Sequence, residues 1–130
     1  MSGSIERFPS ELPLPFSKVV RAGGFLFLSG QLAMDEHGKL LAGDIQAQTH
    51  AVLRGIAATL AEHGASLAQV VRASVWLADL NDFAAFNEVY AQYFAGTLPA
   101  RSTVQSRLGQ DARVEIEVQA YVDEQASAAA

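Results

Sequence analysis

Cysteine is absent from this 130-residue chain, so disulfides and thiolate chemistry are excluded. Long hydrophobic runs are missing as well. The longest apolar stretches, such as residues 25 to 28, fall far short of the roughly 20 residues that cross a bilayer. No membrane partner is expected. The first eight residues carry neither the apolar core of a secretory signal nor an Arg-rich amphipathic pattern, which makes a cytoplasmic address the default expectation. Basic charge is scarce: 9 Lys and Arg against 14 Asp and Glu give a formal net charge of -5, and the basic residues are scattered singly. Such a surface repels phosphate backbones on average, so no nucleic-acid partner is expected. Also absent are a phosphate-binding glycine loop, a Gly-x-Ser-x-Gly elbow and a His-Glu-x-x-His helix pair.

Half of the residues are hydrophobic, a globular composition of a length that suits one domain over residues 1–122. The tail, residues 123–130, has no anchoring hydrophobes and is expected to be frayed or disordered. The segment Glu11 to Pro15 holds two of the four prolines and reads as an extended lead-in. Residues 17 to 20 and 25 to 29 favour strand, and Ala22-Gly23-Gly24 between them predicts a hairpin turn. Asp35 to Gly38 is turn chemistry. Asp44 then predicts the N-cap of a helix with apolar positions at Ile45, Val52, Leu53, Ile56 and Leu60, stopping at Gly64. Ser66 to Gln69 has capping-box spacing before a β-branched run that ends near Leu77. Asp79 to Asp82 caps a second helix, where Phe83, Phe86, Tyr90 and Phe94 recur along one face. Two runs follow, residues 102 to 108 and 113 to 122, and Gly109-Gln110-Asp111 between them suggests a closing hairpin. The last run alternates Val114, Ile116, Val118, Ala120 and Val122 with Glu115, Glu117, Gln119 and Tyr121, so one face is core and the other polar. The expected architecture is α+β, with two helices on one face of a mixed sheet and an oligomer covering part of the other.

Three histidines, His37, His50 and His63, are spread over a turn, a helix and a helix end, with no carboxylate at ligand spacing, so no metal site is expected. Arg101 differs in kind. It follows Pro99-Ala100 at the start of a strand, where a fixed backbone can aim a planar fork of donors at a small carboxylate. A structural ion pair with Asp or Glu is the other reading. Glu115 and Glu117 both project from the polar side of the last strand; alternation alone favours an ordinary solvent-facing strand edge, and the other reading has at least one of them partly buried near the strand of Arg101. Alternation does not choose between them.

Pro99-Ala-Arg-Ser-Thr-Val104, followed by Val114-Glu-Ile-Glu117, resembles the C-terminal signature of the reactive-intermediate deaminase (Rid, or YjgF-like) family, in its arginine-containing form. Phe27 to Gln31, Gly43 to Gln48, Val75 to Phe83 and Phe86 to Tyr90 are similar to further family segments, in family order. The resemblance covers the chain from Pro15 to Tyr121. It implies a chorismate-mutase-like homotrimer with sheets around a central β-barrel, helices outside and three clefts between neighbouring subunits. It places the carboxylate-binding arginine on Arg101 and the water-associated glutamate on Glu115, leaving Glu117 as bystander. Ser29 and Gly30 match the loop whose backbone lines the cleft, and Asn87 matches an asparagine near the site. Phe16 stands where many members have tyrosine, Thr103 where cysteine is frequent, and Arg107 to Gln110 departs from the usual run.

The implied activity is hydrolysis of short 2-imino acids, such as 2-iminopropanoate or 2-iminobutanoate, to 2-oxo acids and ammonia, with no metal or organic cofactor required. Arg101 would orient the carboxylate, and Glu115 would position water and pass protons. The rival readings are deamination of a larger pathway enamine, aminomuconate-like; non-catalytic binding of small carboxylates; and ribonuclease activity. The acidic balance counts against the last.

Overall fold

The computed structural model describes residues 4–122, so the tail expected for residues 123–130 lies outside the described residues. Strands β1 (Ile5–Pro9), β2 (Ser17–Ala22) and β3 (Phe25–Gln31) precede helix α1 (Ile45–Glu62). Strand β4 (Val70–Leu77), helix α2 (Phe83–Phe94), β5 (Ala100–Gln105) and β6 (Val114–Tyr121) complete the chain. The six strands form one mixed sheet in the order β1-β2-β3-β6-β4-β5.

Local signals set the element ends. Gly23, with φ +60°, turns the hairpin between β2 and β3, where Val19 faces Leu28. The Asp44 carboxylate accepts from the Ala47 N–H at 2.9 Å and caps α1, while Gly64, with φ +76°, follows its last turn. Gln69 Oε1 accepts from the Ser66 N–H at 2.9 Å, closing the short turn that leads into β4. The apolar stripe of α1 and the faces of β3, β4 and β6 pack into one core. Leu26, Leu53, Ile56, Leu60, Phe86 and Ile116 lie fully inside it. No helix among the described residues is long and apolar enough to cross a membrane.

Three features depart from the sequence-based expectation. β1 pairs antiparallel with β2, although residues 5 to 9 carry no clear alternation and end in a proline. The lead-in is folded rather than extended: the Leu14 N–H donates to Leu12 O and the Phe16 N–H to Leu14 O, both at 2.8 Å. Those are consecutive three-residue turns, each centred on a proline whose ring presets φ.

The closing hairpin does not form. β5 lies parallel to β4, while β6 lies antiparallel between β3 and β4. A helix-containing crossover joins β4 to β5, because parallel neighbours cannot be connected by a tight turn. β6 has the strictest alternation in the chain and takes a central position, where both of its edges are paired and its apolar side meets the helices.

Candidate active site

Register fixes where each candidate side chain points. Arg101 is level with Ala73 of β4, and Ala73 is level with Val118 of β6, so all three share the helix-covered face. Thr103, level with the buried Val75, lies on that same face two residues along. Helix α2 covers this edge of the sheet. The Arg101 guanidinium lies 4.7 Å from the ring centre of Tyr90, 5.3 Å from Phe86 and 5.5 Å from Phe83. Asn87 sits on α2 between Phe86 and Tyr90, with a buried Oδ1 that has no hydrogen-bond partner among the described residues. The Tyr90 hydroxyl is likewise buried without one. Burial pushes the Tyr90 phenol above its ordinary value, against the opposing charge of Arg101.

Glu115 belongs to a different place. It is level with Trp76, three residues along β4 from Ala73, and therefore projects from the opposite face of the sheet. Strand spacing and rise put its backbone about 14 Å from that of Arg101. The expectation that a glutamate lies near the strand of Arg101 is thus corrected within one chain, because β4 separates β5 from β6. Both Glu115 and Glu117 are partly buried, so the solvent-facing reading that alternation favoured does not hold. Burial first, and the neighbouring Glu117 charge second, hold the Glu115 carboxyl above its ordinary value.

A backbone irregularity singles out Glu115. Between Leu28, level with Val118, and Gln31, level with Ile116, β3 takes three steps against two on β6. This bulge places Ser29 and Gly30 beside the glutamate strand. A Cβ added at Gly30 would collide with Glu115 Oε2 and stand 3.1 Å from its Cδ, so a side chain there would displace the carboxylate from its present position. The Ser29 hydroxyl donates to Ser17 O at 2.7 Å, tying the bulge to β2. Phe16, Ser29 and Gly30 line one cavity of about 300 Å³, together with Leu12, Leu14 and Met34. Lys18, at its rim, pairs with Glu11 at 2.6 Å.

The candidates therefore form two groups. Arg101, Thr103 and Asn87 belong to the α2 edge; Glu115, Gly30 and Ser29 meet at the bulge, and Phe16 shares the cavity that Ser29 and Gly30 line. Sequence reasoning placed Phe83, Phe86 and Tyr90 on a core face without linking them to Arg101, a link that only the parallel β4-β5 pairing makes visible. It also missed Gln110, whose side chain accepts from the Leu40 N–H at 3.0 Å and donates to Gly38 O at 2.9 Å. Gln110 thereby braces the loop that walls the cavity beside Met34. The three histidines share no site: His50 bonds the Tyr93 hydroxyl at 2.7 Å, His63 packs on Phe8, and His37 is exposed beside Glu36.

Residues 10–122 match the model of the family described as endoribonuclease L-PSP. The chain is 48% identical over 109 residues to a RutC family protein of Pyrococcus abyssi, covering 82% of this chain and 86% of that protein. It is 40% identical over 116 residues to the chloroplastic Reactive Intermediate Deaminase A of Arabidopsis thaliana, covering 88% of this chain and 62% of that protein. Among solved structures it is similar to YyfA of Yersinia pestis, a member of the Rid protein family, at 35% identity and TM-score 0.83. That match covers 92% of this chain and all of the other. RidA of an Antarctic Psychrobacter is similar at 36% identity and TM-score 0.80, over 89% of this chain and 94% of the other.

Proposed function

The chain belongs to the endoribonuclease L-PSP family, also called YjgF/Rid, and from that premise we propose that it is an imine and enamine deaminase acting on short 2-imino acids. The observation that carries this reading is Arg101: a half-buried guanidinium on a sheet edge, with no acidic partner among the described residues. Such a fork suits a small carboxylate, the group every 2-imino acid bears beside its electrophilic carbon.

Arg101 and Glu115 face opposite sides of one sheet, so a single chain does not bring them to one substrate. A homotrimer, with clefts between neighbouring subunits, would place the arginine edge of one copy against the glutamate bulge of the next. In such a cleft Arg101 holds the carboxylate, while Asn87 and Thr103 line the pocket on its side. Phe16, Ser29 and Gly30 line it on the other. Glu115 takes a proton from water as its oxygen bonds to C2 and the C=N electron pair moves to nitrogen. The same carboxyl passes that proton to nitrogen to give a carbinolamine; it then takes the proton of the new hydroxyl and delivers it to nitrogen, so that C=O forms as the C–N bond breaks and ammonia leaves a 2-oxo acid. A carboxyl held above its ordinary value is suited to both halves of this relay.

A ribonuclease reading finds less support. The net charge is -5 and no two histidines share a cleft.

The test is the loss of 2-iminobutanoate, generated in situ by an amino-acid oxidase and trapped with semicarbazide, for wild type and Arg101→Ala. Wild type is expected to divert imine from the trap, and Arg101→Ala to lower kcat/KM about a hundredfold. If wild type diverts none while 2-oxobutanoate still binds in an Arg101-dependent way, the protein is a carboxylate binder or acts on a larger enamine. Binding that ignores Arg101 would overturn the site itself.

A further inference from the structure

No arginine is in an ion pair among the described residues, and half-buried Arg21 bonds the His63 carbonyl instead. What sets Arg101 apart is that it lies against aromatic rings. Phe83, Phe86 and Tyr90 stand at i, i+3 and i+7 of α2, all with centres within 5.5 Å of its guanidinium carbon. Neither ion pair among the described residues includes it. The distinction has a chemical consequence. A carboxylate partner would occupy the N–H donors on the edge of the guanidinium plane, whereas an aromatic face attracts the cation and leaves those donors open.

We propose that Phe83, Phe86 and Tyr90 act as positioning residues, an aromatic cage that holds Arg101 in place of an acidic partner and keeps its donor edge uncompensated for the substrate carboxylate. The inference rests on the carboxylate-anchor reading of Arg101 given above. It explains why α2 is so rich in rings on the side that meets β5. Phe86 and Tyr90 are also core residues, but Phe83 is 43% exposed and contributes little to the core. Phe83 is therefore the ring whose contact with Arg101 can be altered with least effect on the core. One buried polar atom without a partner among the described residues, Asn87 Oδ1, belongs to the same helix face and adds to a site left incomplete until a ligand enters, while the Tyr90 hydroxyl lies close enough to Arg101 for the guanidinium to favour its ionised form.

Phe83 is the position at which the idea can be tested without disturbing the core. Calorimetric binding of 2-oxobutanoate and turnover of 2-iminobutanoate are compared for Phe83→Leu, Phe83→Tyr, Phe83→Gln, Phe83→Glu and Arg101→Ala. Phe83→Leu is expected to weaken binding about fivefold and raise KM, with kcat within about twofold of wild type, while Phe83→Tyr restores both. Phe83→Glu is expected to weaken binding more than tenfold, because an internal carboxylate then takes the fork, and Phe83→Gln to behave as Phe83→Leu. A glutamate suits the first turn of α2, so the fold is expected to tolerate it, with an unchanged Tm as the check. Unchanged binding in both Phe83→Leu and Phe83→Glu, with binding lost in Arg101→Ala, would overturn the cage and leave the anchor standing. Binding retained in Arg101→Ala would overturn the anchor instead.

Discussion

The two halves of the candidate site are built by different means. At the α2 edge, side chains do the positioning: Arg101 is level with Ala73 and lies against three rings. At the bulge, the backbone does it, since an extra residue in β3 and the bare Cα of Gly30 make room for Glu115. Each half is also electrically unfinished. Among the described residues, the first holds a cation that forms no ion pair, and the second holds a carboxyl raised by burial and by Glu117 that forms none either. Two complementary deficits on opposite faces of one sheet are what the proposed cleft between neighbouring chains would bring together.

Mixing two inactive variants tests that lesson most severely. Glu115→Gln is expected to slow turnover about a hundredfold with 2-oxobutanoate binding retained, and Arg101→Ala to lose binding. In a cyclic trimer reassembled from equal amounts of both, one cleft in four receives an intact arginine from one copy and an intact glutamate from its neighbour. About a quarter of the wild-type activity should therefore return, by random assortment into closed rings. If both groups act within one chain, no activity returns, and the two-chain account falls.

Gly30→Ala probes the backbone half alone. The added methyl competes with the Glu115 carboxylate for the same space, and Gly30 has no positive φ to add strain. We expect turnover to fall about tenfold, with Arg101-dependent binding of 2-oxobutanoate preserved and Tm little changed. Turnover equal to wild type would mean that Glu115 does not need its place above the bulge.

Most of the fold was legible where the signal is local. Asp44, Gly23 and Gly64 each mark an end by a conformation or a hydrogen bond that their own side chain, or lack of one, makes favourable. Strand order was not legible: β5 and β6 are sequence neighbours separated by β4, and no residue between them encodes the intervening strand. The site divides in the same way. Pro99-Ala100 ahead of Arg101 was a readable hint of a fixed guanidinium, whereas alternation puts Glu115 and Glu117 on one face with equal claim. The family resemblance chose Glu115, and within the structure the bulge, which sets Gly30 against Glu115, separates them. A bulge depends on two strands distant in sequence, so a single strand pattern does not reveal it.

The smallest expected effect concerns stability and again sets the two halves against each other. Because the folded chain holds the Glu115 proton above its ordinary value of 4.5, folding binds a proton that the unfolded chain has already released in that window. Stability is thus greatest below the unfolded value and falls as pH rises through the raised folded value. Glu115→Gln removes this penalty, so the variant should melt about 1 to 3 °C above wild type at neutral pH, an effect kept small by solvent screening. The gain should vanish below pH 4, where wild-type Glu115 is itself protonated. If a neighbouring Arg101 stands against Glu115 in the assembly, it offsets part of the penalty, and the gain should grow when Glu115→Gln is made in an Arg101→Ala background. An equal gain in both backgrounds would mean that the two charges do not meet, whatever the mixing experiment returns.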